Sequence, residues 1–112
     1  MMELNRGDIC LVNFNPAKGG EIGKLRPAII LSEVEANNVF DTIIVVPLST
    51  IIETDALPYR YTVTKREKLL HNSDACINEV RSLAKSRVKE TLAQLDQEEL
   101  AIIQKALCQQ LQ

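Results

Sequence analysis

The chain is short of most residues that announce a function by themselves. Histidine occurs once, at His71, and the three cysteines, Cys10, Cys76 and Cys108, stand far apart with no C-x-x-C spacing. That argues against a zinc site or a disulfide framework, which call for clustered ligands or paired thiols. No apolar run approaches the ~18 residues of a membrane-spanning helix. The opening Met1-Met2-Glu3-Leu4-Asn5-Arg6 lacks the apolar stretch of a signal peptide. A reducing cytoplasm is therefore the expected compartment, with no membrane partner. Aromatic residues are only 4% of the chain, so a nucleic acid would find few flat faces to stack on. Charge of one sign is also lacking: 13 Lys and Arg against 15 Asp and Glu leave a net −2. Nothing global marks a nucleic-acid or membrane-surface protein. There is no internal repeat and no low-complexity stretch.

What is present is the balance of one ordinary domain over 1–112: 112 residues, 46% hydrophobic and 25% charged. At about this size a domain hides roughly two-thirds of the surface its unfolded chain exposes, enough for one core. The charge is unevenly spread. Residues 60–90 hold eight basic against four acidic side chains, so the middle third is basic while both flanks are acidic.

Short β-compatible runs follow one another: Ile9–Phe14, Arg26–Leu31, Thr42–Val46, Tyr59–Val63 and, with a mixed pattern, Ala75–Leu83. A polar stretch around Asn37-Asn38 separates the second and third. Pro47 ends the third, since it has no N–H for the ladder, and leaves Leu48-Ser49-Thr50 at the strand's C-terminal edge. The helix signal comes last. Asp96 is the expected N-cap, Glu99 completes a capping box, and Leu95 staples onto Leu100. Leu100, Ile103, Leu107 and Leu111, widened by Ala106, form one apolar stripe that should dock on the sheet. The fold class expected is mainly β with a C-terminal helix, a strongly curved antiparallel sheet forming a partly closed barrel.

The segment Gly19-Gly20-Glu21-Ile22-Gly23-Lys24-Leu25-Arg26-Pro27 is glycine-rich yet charged. Glycines let backbone amides approach an anion, Lys24 adds a mobile cation, and Arg26 offers a planar donor fork to phosphate. It is not a P-loop: Leu25 stands where Ser or Thr should bind magnesium, and Lys18 where the first glycine should be. The same residues have a plainer reading, a solvated hairpin in which Arg26 pairs with Glu21. Ser49 and Thr50 likewise read either as site hydroxyls or as strand-end groups that satisfy the backbone. His71, in His71-Asn72-Ser73-Asp74, belongs to a solvated turn, and Cys10 and Cys76 read as small core residues.

Taken together, Arg6-Gly7-Asp8-Ile9-Cys10-Leu11-Val12, then Asn15-Pro16 with Gly20-Glu21 and Arg26-Pro27-Ala28-Ile29-Ile30-Leu31, then Val46-Pro47-Leu48-Ser49-Thr50, resemble the PemK/MazF family of toxin endoribonucleases. The likeness continues through Asn78-Glu79-Val80-Arg81-Ser82-Leu83 into the terminal helix. It implies an SH3-like barrel acting as a homodimer that cuts single-stranded RNA at short sequences without metal or cofactor, and that a cognate antitoxin neutralises. By the same resemblance the catalytic residues fall on Arg26 and Ser49, with the recurring loop glutamate at Glu21. Glu21 then either accepts the 2′-OH proton or holds Arg26 in position.

The sequence also departs from the family's pattern. Ser49 replaces the commoner Thr, with Thr50 beside it as a second hydroxyl. Cys76 and Asn78 stand where one branch offers an Arg and an Asp as acid and base, and Glu79 replaces a frequent Gln. Lys18, Lys24, Thr50, Glu79, Arg81, Lys85 and Arg87, with Lys89, are the expected RNA contacts, and Tyr59 or Tyr61 the expected stacking face. The same likeness leaves a competing reading open, a CcdB-like toxin or degenerate family member that acts by protein binding only. The fold alone does not separate the two.

Overall fold

Apolar residues run almost without interruption along the early strands, so each strand must bury both of its faces, and the sheet does this by curling. A computed structural model describes residues 3–14 and 24–112. It has β1 (Asp8–Asn13), β2 (Leu25–Ile30), α1 (Val34–Val39), β3 (Thr42–Ser49), β4 (Arg60–Val63), β5 (Ser73–Cys76), β6 (Arg81–Ala84), β7 (Val88–Gln94) and α2 (Gln97–Gln110). All pairings between these strands are antiparallel. The order is β4-β5-β3-β2-β1-β7, with β6 also on β3. The two ends of that path approach each other. The Lys68 N–H donates to Leu92 O of β7 at 3.0 Å, so the segment following β4 partly closes the barrel.

Two cores result. Ile9, Ile29, Val46, Leu48, Val63, Ala75 and Ile77 form the first, under Ile103 and Ala106 of α2. Cys10, Val12, Ala28, Ile30, Ile43, Val45 and Leu83 form the second, on the opposite face of the same strands. The strands thus read as near-continuous apolar runs because both faces of the central strands carry buried residues.

Gly7 is a position where glycine is required. Its φ of +94° is strained for any residue with a Cβ, and its carbonyl accepts from Leu95 N–H just before α2. The α2 start is as expected: Asp96 caps it, and the reciprocal bonds with Glu99 make a full capping box. Leu95 and Leu100 both pack on the first core.

The structure corrects several expectations. Ala75–Leu83 is not one strand. Ala75 pairs with Leu48 and Arg81 with Val45, so residues 76–80 lie opposite only Val46 and Pro47. A 3₁₀ turn, Ile77–Glu79, takes up the excess. Leu111 does not belong to the buried stripe: the helix ends at Gln110, and Leu111 is 75% exposed. The polar stretch around Asn37 is helical, and Asn37 itself is buried. Its amide donates to Leu4 O and Ser32 O and its carbonyl oxygen accepts from Ser32 Oγ. β7 has no counterpart among the expected strands. Among the described residues, no helix is long and apolar enough to cross a membrane.

Candidate functional site

Strand register builds the site. Val12 of β1 pairs with Arg26, and Ala28, two places on, pairs with Pro47 of β3. Extending that register by two residues sets Arg26 across from Ser49. Both lie on the face that carries Ala28, Pro47 and Val45. Both are half-buried at the open end of the second core, where the apolar filling stops. The Arg26 guanidinium has no hydrogen-bond or ion-pair partner among the described residues. Ser49 Oγ accepts from Ile51 N–H at 3.1 Å, which leaves its own O–H available to donate.

A second cation reaches the same end. Arg81 of β6 pairs with Val45, and its guanidinium carbon lies 5.6 Å from the centroid of the Phe14 ring. Phe14 follows β1 directly, packs on the second core, and donates its N–H to Lys24 O. Arg87 donates from Nη1 to Asn13 O at 3.2 Å, and Lys24 is exposed just before β2. Arg81 and Arg87 thus reach Phe14 and Asn13 with their side chains, while Lys24 and Arg26 flank the end of β1 through the backbone ladder. The sequence held no particular sign that Phe14 belonged here, since it read as the last residue of an apolar strand.

On the far side of Ser49 the neighbours are acidic and buried. Ser49 pairs with Asp74 of β5, whose side chain is wholly inaccessible. Asp74 accepts from Thr62 Oγ1 at 2.6 Å and from Glu53 N–H at 2.7 Å, and Arg60 Nη1 lies 3.7 Å from its Oδ2. Cys76, next on that face, is buried, and burial pushes its thiol pKa up. The Arg60 guanidinium opposes that rise, while Glu79 and Asp74 add to it. Burial likewise pushes Cys10 up to about 11, so neither thiol is a nucleophile at neutral pH.

The remaining expected residues divide. Glu21 and Lys18 lie outside the described residues. Thr50 is exposed beside Ser49, and Glu79 is exposed on the 3₁₀ turn after β5. Lys85 is elsewhere. Its ammonium donates to Asn37 O at 2.7 Å and borders a cleft of about 590 Å³ with Leu4, Ala84 and Val88, so its charge is tied to α1. Lys89 is exposed on β7. Tyr61 packs against the first core, which removes it as a stacking face, while Tyr59 is exposed. Among the described residues, no cluster of three or more His, Cys, Asp or Glu could hold a metal ion.

Residues 5–111 match the family model of the PemK-like, MazF-like toxins of type II toxin-antitoxin systems. Among solved structures, a MazE–MazF complex from Deinococcus radiodurans superposes with a TM-score of 0.81 at 25% identity. That match covers 99% of this chain and 97% of the other. MazF from the same organism gives 0.78 at 26%, covering 99% and 98%. A mycobacterial endoribonuclease in complex with its cognate antitoxin shares the fold at 17% identity, with a TM-score of 0.72 and coverage of 99% and 95%.

Proposed function

Because the chain belongs to the PemK-like, MazF-like toxins of type II toxin-antitoxin systems, we propose that it is an endoribonuclease. It cuts single-stranded RNA in the cytoplasm, works as a homodimer and is neutralised by a cognate antitoxin. The observation that supports the catalytic part is that Arg26, without a partner among the described residues, and donor-ready Ser49 each stand two residues beyond the Ala28–Pro47 pair, on the face those two share. A phosphodiester seated between them meets a guanidinium on one side and a hydroxyl on the other.

Such a site suits cleavage by the substrate's own 2′-OH. Its oxygen attacks the neighbouring phosphorus, the O2′–P bond forms, and the P–O5′ bond breaks. The products are a 2′,3′-cyclic phosphate and a 5′-hydroxyl. The proton lost by the 2′-OH goes to a base, and the departing 5′ oxygen takes one from water. The phosphorane between these states carries extra negative charge on its non-bridging oxygens, and there a fixed guanidinium binds the transition state better than the ground state. Ser49 donates to one of those oxygens. Glu21, in either of its two roles, serves the same step: as the base, or as the carboxylate that orients Arg26. The cationic end formed by Arg26, Lys24 and Arg81 supports RNA as substrate, with Arg81 on Phe14 offering a flat, charged face to a base.

The decisive experiment incubates the protein with a long single-stranded RNA in EDTA, beside Arg26→Ala and Ser49→Ala. Expected are new 5′-hydroxyl ends and cyclic phosphates. Losing Arg26 should slow cleavage by about 10²–10³, as removal of one preorganised donor does. Equal cleavage by wild type and Arg26→Ala would overturn the site, and no cleavage by folded wild type would favour the binding-only toxin.

A further inference from the structure

The buried carboxylate next to Ser49 has no part in the reaction just described, yet its bonds run to the segment that leaves the site. Three contacts fix residues 49–53. Ile51 N–H donates to Ser49 Oγ at 3.1 Å, Arg60 Nη1 donates to Ile51 O at 3.0 Å, and Glu53 N–H donates to Asp74 Oδ2 at 2.7 Å. Arg60 also lies 3.7 Å from Asp74 Oδ2 and, through Nε, 3.8 Å from Glu53 Oε2. The other Asp74 oxygen is held by Thr62 Oγ1 at 2.6 Å, which anchors the carboxylate to β4.

An apolar side chain would fill this position in the sheet with less desolvation cost, so the carboxylate needs a structural explanation. The ladder does not supply one, because the Asp74 side chain adds nothing to backbone pairing. What it adds is an acceptor aimed out of the sheet at the amide of Glu53, in a segment that is otherwise exposed from Thr50 to Asp55. Without that acceptor, the Ser49 hydroxyl sits at the root of a loop tied to the rest of the fold, among the described residues, through Arg60, with the Ile51–Ser49 bond local to the loop itself.

We propose that Asp74 is a positioning residue for the candidate site: by gripping Glu53 N–H and pairing with Arg60, it fixes residues 49–53 and with them the rotamer of Ser49. This rests on the nuclease reading for its kinetic consequence, but the grip on the loop can be measured without it. A hydroxyl that must meet a phosphoryl oxygen within a fraction of an ångström gains from a segment that cannot sway.

The test compares four variants of the full chain by single-turnover cleavage of a defined RNA and by hydrogen exchange at Ile51 and Glu53. Asp74→Ala should lower kcat by about 10–100-fold at nearly unchanged KM and accelerate exchange at both amides. Asp74→Asn should restore kcat to within about threefold, because its carbonyl oxygen accepts from Glu53 N–H while the Thr62 hydroxyl turns to accept from the new amide. Thr62→Val removes the anchor on the sheet side and should lower kcat by much less than Asp74→Ala, because Glu53 N–H and Arg60 still hold the carboxylate. Should Asp74→Ala fail to fold, Arg60→Met tests the same grip from its other side and should lower kcat without raising KM.

Unchanged kcat in folded Asp74→Ala or in Arg60→Met would overturn the proposal. So would a Thr62→Val loss as large as that of Asp74→Ala, which would mean a role confined to the sheet. If wild type cleaves no RNA, the nuclease reading fails, while slow exchange at Glu53 that Asp74→Ala abolishes would still establish the grip.

Discussion

At the scale of single residues, the candidate site leaves Arg26 without a partner among the described residues, while cations elsewhere in the fold are engaged. Arg66 forks onto Glu99, Arg60 onto the Asp74 cluster, and Lys85 onto a carbonyl, but Arg26 meets no described partner. Arg81 is different again, since its guanidinium lies over a ring instead of a carboxylate and keeps its donors for a ligand. Arg81→Ala should therefore raise KM for RNA several-fold, about 1 kcal/mol of binding, with a smaller effect on kcat. Titration of substrate at fixed enzyme concentration separates the two. The thiols give an independent check on the core. Cys10 and Cys76 are buried with raised pKa values and Cys108 is exposed. A thiol-disulfide reagent at pH 8 should label one equivalent quickly in the native protein and all three in guanidinium chloride, and fast labelling of all three would contradict this packing. Arg26 and Ser49 could be nominated from the sequence because a glycine-rich loop and Pro27 bracket the one and Pro47 precedes the other, although β3 does not end at Pro47 as expected but runs through it to Ser49. Phe14 and Asp74 could not be, because an aromatic at a strand end and an acid between strand residues look the same whether they serve a site or the surface.

Elements were legible where their signal was local. The capping box of α2 needs only Asp96 and Glu99, three residues apart, and it formed as expected. β7 was hidden because it carries an extra residue at two places against β1, Leu92 opposite the Ile9–Cys10 step and Lys89 opposite the Leu11–Val12 step, which break its alternation. Leu92 and Ala93, adjacent in sequence, are both buried. α1 was too short to show a period, and the break between β5 and β6 is imposed by the different levels at which they meet β3. The α2 start also carries a pH dependence. Glu99 accepts from Arg66 at 2.7 Å through one oxygen, and the other is held by both Arg66 and Asp96 N–H. The Arg66 hydrogen bonds hold the Glu99 carboxyl below its ordinary 4.5. A carboxyl depressed in the folded state stabilises fully above its unfolded value and loses that contribution as pH falls through its folded one. Glu99→Gln should thus cost about 1 kcal/mol at pH 7, allowing for partial solvent exposure of the pair, and progressively less below pH ~4.5. Urea unfolding at pH 7 and pH 3.5 measures this, and equal losses at the two pH values would remove Arg66 as the cause.

Over the whole molecule, the question that the proposed nuclease raises is how a chain of net −2 attracts a polyanion. The basic middle third expected from the sequence is real, but the fold does not gather it into one stripe. Arg60, Arg66 and Lys85 are spent on internal contacts, while Arg26 and Lys24 come from the acidic first half. On the proposed reading, the cations left for RNA near the end of β1 are Lys24, Arg26 and Arg81, because Arg87 is turned to the Asn13 carbonyl. Each phosphate neutralised on a single strand steepens the dependence of log affinity on log salt by about 0.7, so three contacts predict a slope of about −2 per site. Fluorescence anisotropy of a labelled single-stranded RNA over a salt range of roughly 50 to 300 mM reads that slope directly. With the Arg26→Ala protein the slope should flatten by about one contact's share, to near −1.4. Lys85→Ala should leave it unchanged, although the middle third would then be less basic. A slope indifferent to Arg26 but sensitive to Lys85 would place the RNA along the 590 Å³ cleft beside α1, away from Ser49, and the phosphate could not then be the one that Arg26 and Ser49 face.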